Sequence, residues 1–352
     1  MTGPLQGSSA GRIGAAWRAL CENRTFFLTK FLFGGFYRLA RSGFRIGRHL
    51  PAGLYDYTPD STVYFNRMYL MVLLHRLGIR PITTITASVM CSGEGAGYQI
   101  LLRLQAIAFA RSVGLTYVHT PLFRVDHADK PMPEYAAEWE RLFNLGHGEI
   151  VSDRVDLDIL DFSWAPNSMM LKLFDHAESY SDIERAIPEF RRKFLAANAR
   201  KPGSGDELEV AVHIRRGDID PSLDIMWTDN DRIRTTIRSI EDALKGDSRA
   251  YRLSIVSEGE PEDFREFTQG RNDVDLYLNG NPVEAIRRLI QADILVLAKS
   301  SFSHVAGIVS EGIKIYEPSQ YAPMSDWIVL DEASSFDARI LQQRLRDHRP
   351  ER

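Results

Sequence analysis

Val210-Ala-Val-His-Ile-Arg-Arg-Gly-Asp218 begins as an apolar, β-branched run and ends in two arginines, a glycine and an aspartate. The run predicts a buried strand over 208–214, entered after a linker at Lys201-Pro-Gly-Ser-Gly205. In an open parallel sheet, ligands gather just outside the carboxyl ends of the strands. Two guanidiniums placed there make a site for an anion, most naturally a phosphate. Strand alternation sends His213 and Arg215 to one face and Ile214 and Arg216 to the other. One arginine is therefore expected to face the ligand beside His213, and the other to brace the loop from behind. The competing reading is a surface arginine pair in a turn.

Beyond the linker the pattern repeats. Strands are expected at 208–214, 252–256, 274–278, 294–298 and 313–316. Helices are expected at 231–244, 262–267, 283–291 and 304–310. Strands alternating with helices through short loops indicate a doubly wound parallel sheet. Each polar cluster then falls at a strand's carboxyl end, on the same rim as Arg215. Ser300, Ser301 and Ser303 lie where a helix begins, and suit a second phosphate contact or a helix cap. Glu284 lies in the first turn after Asn279-Gly-Asn-Pro282; it can accept two hydrogen bonds from a guanine edge or act as a helix-dipole carboxylate. Glu258 suits a ribose hydroxyl by the same positional logic. Asp293 falls at the opposite end of the sheet and reads as structural.

Upstream, a strand at 81–89, the turn Cys91-Ser-Gly-Glu-Gly-Ala-Gly-Tyr-Gln99, a helix at 100–113 and a strand at 115–119 predict a first βαβ unit. Glycines 93, 95 and 97 would let a ligand approach the helix amino terminus, with Gln99 as a polar contact or a solvent-facing residue. The spacing is not that of a dinucleotide fingerprint, and no acid ends the second strand, so NAD binding is disfavoured. Residues 126–167 read as irregular, and 181–200 as an amphipathic helix capped by Ser181 or Asp182 with Ile183, Ile187, Phe190 and Phe194 inward.

The 352 residues, 44% hydrophobic and 26% charged, allow two ordinary domains. A net charge of −4 gives no reason to expect a nucleic-acid partner. Two distant cysteines, Cys21 and Cys91, exclude a disulfide framework and point to a cytoplasmic compartment. Neither a spanning segment nor a secretory signal is expected. The region 12–48 carries eight basic residues against a single acid, Glu22, with interleaved aromatics. That composition suits peripheral contact with an anionic membrane face, or an arm packed on the main body.

His213-Ile-Arg-Arg-Gly-Asp218 resembles the arginine motif shared by α1,2-, α1,6- and protein O-fucosyltransferases. The likeness continues through Glu284-Ala-Ile-Arg-Arg-Leu-Ile-Gln-Ala-Asp293 and Ser300-Ser-Phe-Ser303, and looks looser at Gly97-Tyr-Gln99, spanning roughly 90–320. The resemblance implies an α/β, GT-B-like fold of two Rossmann-like domains facing a central cleft. It implies an inverting, metal-independent transferase moving fucose from GDP-fucose to a glycan or glycoconjugate, with no cofactor. Arg215 would hold the β-phosphate and His213 would lie near the nucleotide. Glu284 would take the guanine, and a serine of 300–303 would assist the diphosphate. The motif does not fix the acceptor's base; Asp218, Asp220 and Asp224 are candidates, Asp224 being nearest to where some relatives carry a glutamate. The expected organisation is an arm at 1–80, an acceptor-side α/β domain at 81–200, a nucleotide-sugar domain at 201–325 and a helical tail at 326–352. The alternatives are a related donor such as GDP-mannose, or a binding protein without activity.

Overall fold

The computed structural model describes residues 49–51, 70–72, 74, 75, 77–88, 95–123, 125, 126, 130–152, 154–156, 159–162, 174, 180–198 and 207–347. The basic region 12–48, both cysteines, residues 91–94 of the glycine-rich turn and the linker 201–205 lie outside the described residues. The chain divides into two compact units. The first comprises Met1–Gly95, Leu102–Glu140 and Leu145–Ile183; the second comprises Ala96–Leu101, Arg141–Asn144 and Glu184–Arg352.

The first unit contains β1 (His49–Pro51), β2 (Thr84–Thr86), most of α1 (Ala96–Val113), β3 (Thr116–His119), most of α2 (Met132–Phe143), β4 (Ile150–Val151), β5 (Arg154–Asp156) and β6 (Leu160–Asp161). Strands β4-β3-β2-β6 form one parallel sheet, while β1 and β5 pair antiparallel on their own. Helix α1 buries Ile100, Leu104, Ala106, Ile107, Ala108 and Ala110 and also the polar Gln99, Arg103 and Gln105, so it is enclosed nearly all round, with Arg103 donating to Thr120 O at 3.1 Å. Gly114 ends it in the left-handed region at φ 73°. Helix α2 corrects the expectation of an irregular stretch at 126–167. Its buried Tyr135, Ala136, Trp139, Leu142 and Phe143 recur at helical spacing, and Pro131 and Pro133 open the helix instead of marking a loop.

Helix α3 (Tyr180–Ala197) crosses from one unit to the other. It buries Ile183, Ile187, Phe190 and Phe194 as expected, and it also contains Pro188. It starts one residue before the expected caps, and Asp182 in its first turn accepts from Ser112 Oγ at 2.6 Å.

The second unit continues through β7 (Glu207–His213), α4 (Asn230–Leu244), β8 (Ala250–Ser257), a 3-10 turn at Pro261–Phe264, α5 (Arg265–Thr268), β9 (Val274–Leu278), α6 (Pro282–Gln291), β10 (Ile294–Leu297), α7 (Ser301–Val309), β11 (Ile313–Tyr316), β12 (Ile328–Val329) and α8 (Ala338–Asp347). All six strands run parallel in the order β12-β11-β10-β7-β8-β9. The chain builds outward from β7 in one direction, then returns to β10 and builds in the other. The crevice between the carboxyl ends of β7 and β10 is therefore the topological switch point, where open α/β sheets bind their ligands.

Caps and amphipathic faces account for the helices. Asp229 accepts from Arg232 N and starts α4, whose Ile233, Ile237, Ile240 and Leu244 meet Val210, Val212, Ile255 and Ile315 of the sheet. Asn281 accepts from the N–H groups of Val283 and Glu284, with Pro282 at the first helical position, and starts α6. Each fully buried Ile or Leu contributes about 1.5–3 kcal/mol relative to exposure. Helix α7 begins three residues before the expected 304, because Ser300 caps it through Phe302 N. The tail beyond 326 is also more than helical: β12 extends the sheet, and Leu341 and Leu345 of α8 join the same core as α4. A two-residue strand is too short to show a period of two in the sequence.

Candidate functional site

Strand β7 ends at His213, and Ile214 carries the pairing one step further by donating to Val256 O at 3.0 Å and accepting from Ser257 Oγ at 2.7 Å. Arg215 is thus the first residue free of the ladder, at the switch point. Its guanidinium donates from Nε and Nη2 to the Asp218 carboxylate at 3.2 and 2.7 Å, and Nη1 lies 3.5 Å from Met226 Sδ. Arg216 turns the other way. It donates to Arg215 O, Thr228 O and Asn230 Oδ1 at 2.8, 3.0 and 2.7 Å, and its guanidinium lies 3.8 Å over the Trp227 ring. The structure thus places Arg216 as the loop's brace and Arg215 on the rim. Gly217 holds φ 84° with the Glu258 side chain packed where a Cβ would stand, so the motif's glycine is a backbone requirement.

His213 is half-buried, its ring 5.5 Å from that of Phe302, and its enclosed Nδ1 has no hydrogen-bond partner among the described residues. Burial first, and then the charge of Arg215, push its pKa down to about 3 against the opposing pull of Asp218. The imidazole is therefore neutral near pH 7, and its contribution to a ligand is a hydrogen bond or a packing surface.

The three serines separate by role. Ser300 Oγ caps α7, and Ser303 Oγ is tied to Ala298, donating to its carbonyl and accepting from its N–H at 3.1 Å. Ser301 is half-buried in the first turn, and its hydroxyl makes no hydrogen bond among the described residues. Gly97 and Gln99 belong to the first turn of α1, which groups with the second unit. A Cβ on Gly97 would come within 2.6 Å of Phe302 N and Cα, so only glycine allows these two helix starts to approach. Gln99 is buried, not solvent-facing.

Glu284 pairs with Arg287 at 2.9 Å and Arg288 at 3.7 Å within its own helix. Glu258 is exposed at the end of β8, one strand further from the switch point. Asp220 accepts from Ser222 N at 2.8 Å, and the Asp224 side chain is exposed with no hydrogen bond among the described residues. Asp293 lies at the far end of the sheet, as read from the sequence, and accepts from Glu209 N at 2.8 Å.

Two rim residues escaped the sequence reading. Lys299 follows β10 in the position equivalent to that of Arg215 after β7, Glu317 follows β11 one step earlier in register, and their placement at strand ends was the available signal. Glu317 is only 5% exposed and lines a recess with His213, Arg215, Met226, Thr228 and Ser334. Its Oε2 accepts from Thr228 Oγ1 at 2.5 Å, and its Oε1 faces Lys299 Nζ at 3.4 Å and Arg232 Nε at 3.5 Å. Among the described residues, no three of His, Cys, Asp or Glu converge as a metal site, and no helix is long and apolar enough to cross a membrane.

No protein-family model matches the sequence, and no curated protein matches it. Solved structures to which the chain is similar include the E. coli heptosyltransferase WaaC with ADP, at 12% identity over 75% of this chain and 99% of that one, TM-score 0.34. POFUT1 in complex with GDP-fucose is 13% identical over 67% of this chain and 98% of that one, TM-score 0.36. S. aureus MnaA with UDP is 8% identical over 83% of this chain and 72% of that one, TM-score 0.29.

Proposed function

We propose that the protein is an inverting glycosyltransferase that moves fucose from GDP-fucose to a glycan or glycoconjugate acceptor. The observation that carries this reading is the placement of Arg215 beside His213 at the switch point, braced from behind by Arg216, within a motif resembling that of the fucosyltransferases. In the proposed reaction the acceptor oxygen attacks the anomeric carbon, the bond from that carbon to the diphosphate oxygen breaks, and GDP leaves. Arg215, Ser301 and the first N–H groups of α7 stabilise the charge developing on the diphosphate. That arrangement needs no metal ion. Asp224, whose carboxylate is exposed on the neighbouring loop, takes the acceptor proton, while Asp218 is held by Arg215. Glu284 receives the guanine edge by exchanging its pairs with Arg287 and Arg288, and Glu258 receives a ribose hydroxyl.

The test is a thermal-shift panel of GDP, GDP-fucose, GDP-mannose, UDP and ADP, each with and without EDTA. The expected result is stabilisation by GDP and GDP-fucose that EDTA leaves intact. Stabilisation by UDP or ADP but not GDP would overturn the donor, and a larger effect of GDP-mannose would move the sugar. The basic, aromatic region 12–48 is proposed to dock on an anionic membrane face. Equal liposome flotation of the full chain and of a chain starting at Thr62 would refute that.

A further inference from the structure

The loop between β7 and α4 touches both arginines, yet it carries exposed apolar side chains, Leu223 and Ile225, and no strand or helix of its own beyond short turns. Its backbone bonds are local, Leu223 N to Asp220 O, and Met226 N and Trp227 N both to Leu223 O, and Arg216 adds one longer hold by donating to Thr228 O and lying over the Trp227 ring. Local bonds of that kind shape a loop but do not anchor it to a sheet. A second anchor joins it to the neighbouring strands. Lys299 Nζ donates to Trp227 O at 3.1 Å and to Asp224 O at 3.4 Å, and Thr228 Oγ1 donates to Glu317. Glu317, nearly enclosed, draws Lys299 and Arg232 toward the same carboxylate, although neither makes a hydrogen bond to its Oε1.

We infer that Glu317 and Lys299 form a charged clasp that fastens residues 224–228 to the ends of β10 and β11, making both positioning residues for Arg215. The route to the arginine is short. The clasp fixes the carbonyls of Asp224 and Trp227 and the hydroxyl of Thr228; the segment between them carries Met226, whose sulfur meets Arg215, and Trp227, on which Arg216 lies. A carboxylate this enclosed is costly to leave without its partners. Removing Lys299 would therefore free the carbonyls of Asp224 and Trp227 and leave Glu317 with Thr228 and Arg232. Removing the charge of Glu317 would leave Lys299 free to turn to water. The clasp holds whatever the ligand is, while its consequence for catalysis rests on the reading of Arg215 as the diphosphate ligand.

The first measurement needs no nucleotide. Hydrogen exchange is compared between the full-length protein and Glu317→Gln, Lys299→Met, Lys299→Arg and the Glu317→Gln/Lys299→Met double variant. The amides of Met226 and Trp227 are expected to exchange at least tenfold faster in both charge-removing single variants, with no further acceleration in the double variant. Lys299→Arg, which keeps donors and charge, should restore protection, and β7 and β10 should remain as protected as before. Unchanged exchange at 222–228, additive acceleration in the double variant, or loss spread equally over β7 and β10 would overturn the clasp. The second measurement is GDP titration, with inorganic pyrophosphate as a second probe. Glu317→Gln should weaken both by a similar factor of at least threefold, because the effect arrives through Arg215 and not through the base. Unchanged affinity in a variant whose loop exchange has risen would overturn the positioning role. Failure of the unaltered protein to bind either probe would refute the donor reading instead and leave the exchange result to decide the clasp.

Discussion

Replacing Arg215 with alanine should weaken GDP binding by about 2- to 150-fold. The magnitude follows from the geometry and two general scales. A hydrogen bond to a charged group contributes about 1.5–3 kcal/mol. Without ligand, the guanidinium already spends two N–H groups on Asp218, at 3.2 and 2.7 Å. That pair is partly exposed, 23% at Arg215 and 40% at Asp218, so surrendering it costs only about 0–1 kcal/mol. The difference, roughly 0.5–3 kcal/mol, converts to the stated range at about 1.4 kcal/mol per tenfold. Isothermal titration calorimetry with GDP at one fixed salt concentration provides the assay. Arg215→Lys keeps a charge but loses the planar fork, and should fall between the alanine variant and the unaltered protein. A folded Arg215→Ala protein that binds GDP as tightly as its parent would refute the assignment of this arginine to the diphosphate.

Asp218→Asn should tighten GDP binding by up to about fivefold, because the carboxylate competing for Arg215 loses its charge; weaker binding would mean that Asp218 positions the arginine and does not compete with the ligand. His304 is 2% exposed among Tyr316, Tyr321 and Trp327, neither ring nitrogen has a hydrogen-bond partner among the described residues, and burial pushes its pKa down to about 4. The unfolded chain therefore takes up a proton near the ordinary histidine value that the folded protein refuses, so stability is full above about pH 6.5 and declines as pH falls toward 4. By pH 5 the loss from this residue is about 2 kcal/mol, and urea unfolding of His304→Phe should show a smaller decline between pH 7 and pH 5 than the parent. Equal declines in the two proteins would sink that account. Gly217→Ala should lower thermal stability by about 1 kcal/mol or more, since it combines a positive φ with a clash against Glu258; an unchanged Tm would show that the loop has another conformation available.

Much of the second unit was legible because local chemistry and tertiary role coincide there. The strands at 274–278 and 313–316 emerged with the expected ends, and that at 294–298 to within one residue, because short runs rich in branched and aromatic side chains between turn residues allow few other structures. Arg216 was assignable as a brace from alternation alone. Helix α2 was not legible, since prolines at its start mimic loop punctuation, and its apolar face becomes meaningful only once a sheet is present to bury it.

The sequence by itself determined the alternation of strands and helices, the switch in direction of the arginine pair, and the gathering of polar residues after strands, because these depend on periodicity and on neighbours in the chain. Only the tertiary structure decided the strand order that puts β7 beside β10, and with it which strand ends share a crevice. It also decided that Ser300 and Ser303 serve the backbone while the Ser301 hydroxyl makes no hydrogen bond among the described residues, and that Glu284 is paired along its own helix. The joining of Lys299 to Glu317 belongs to the same class. Their side chains meet because parallel strands 18 residues apart in the sequence end side by side, and nothing in the linear spacing of two charged residues carries that information.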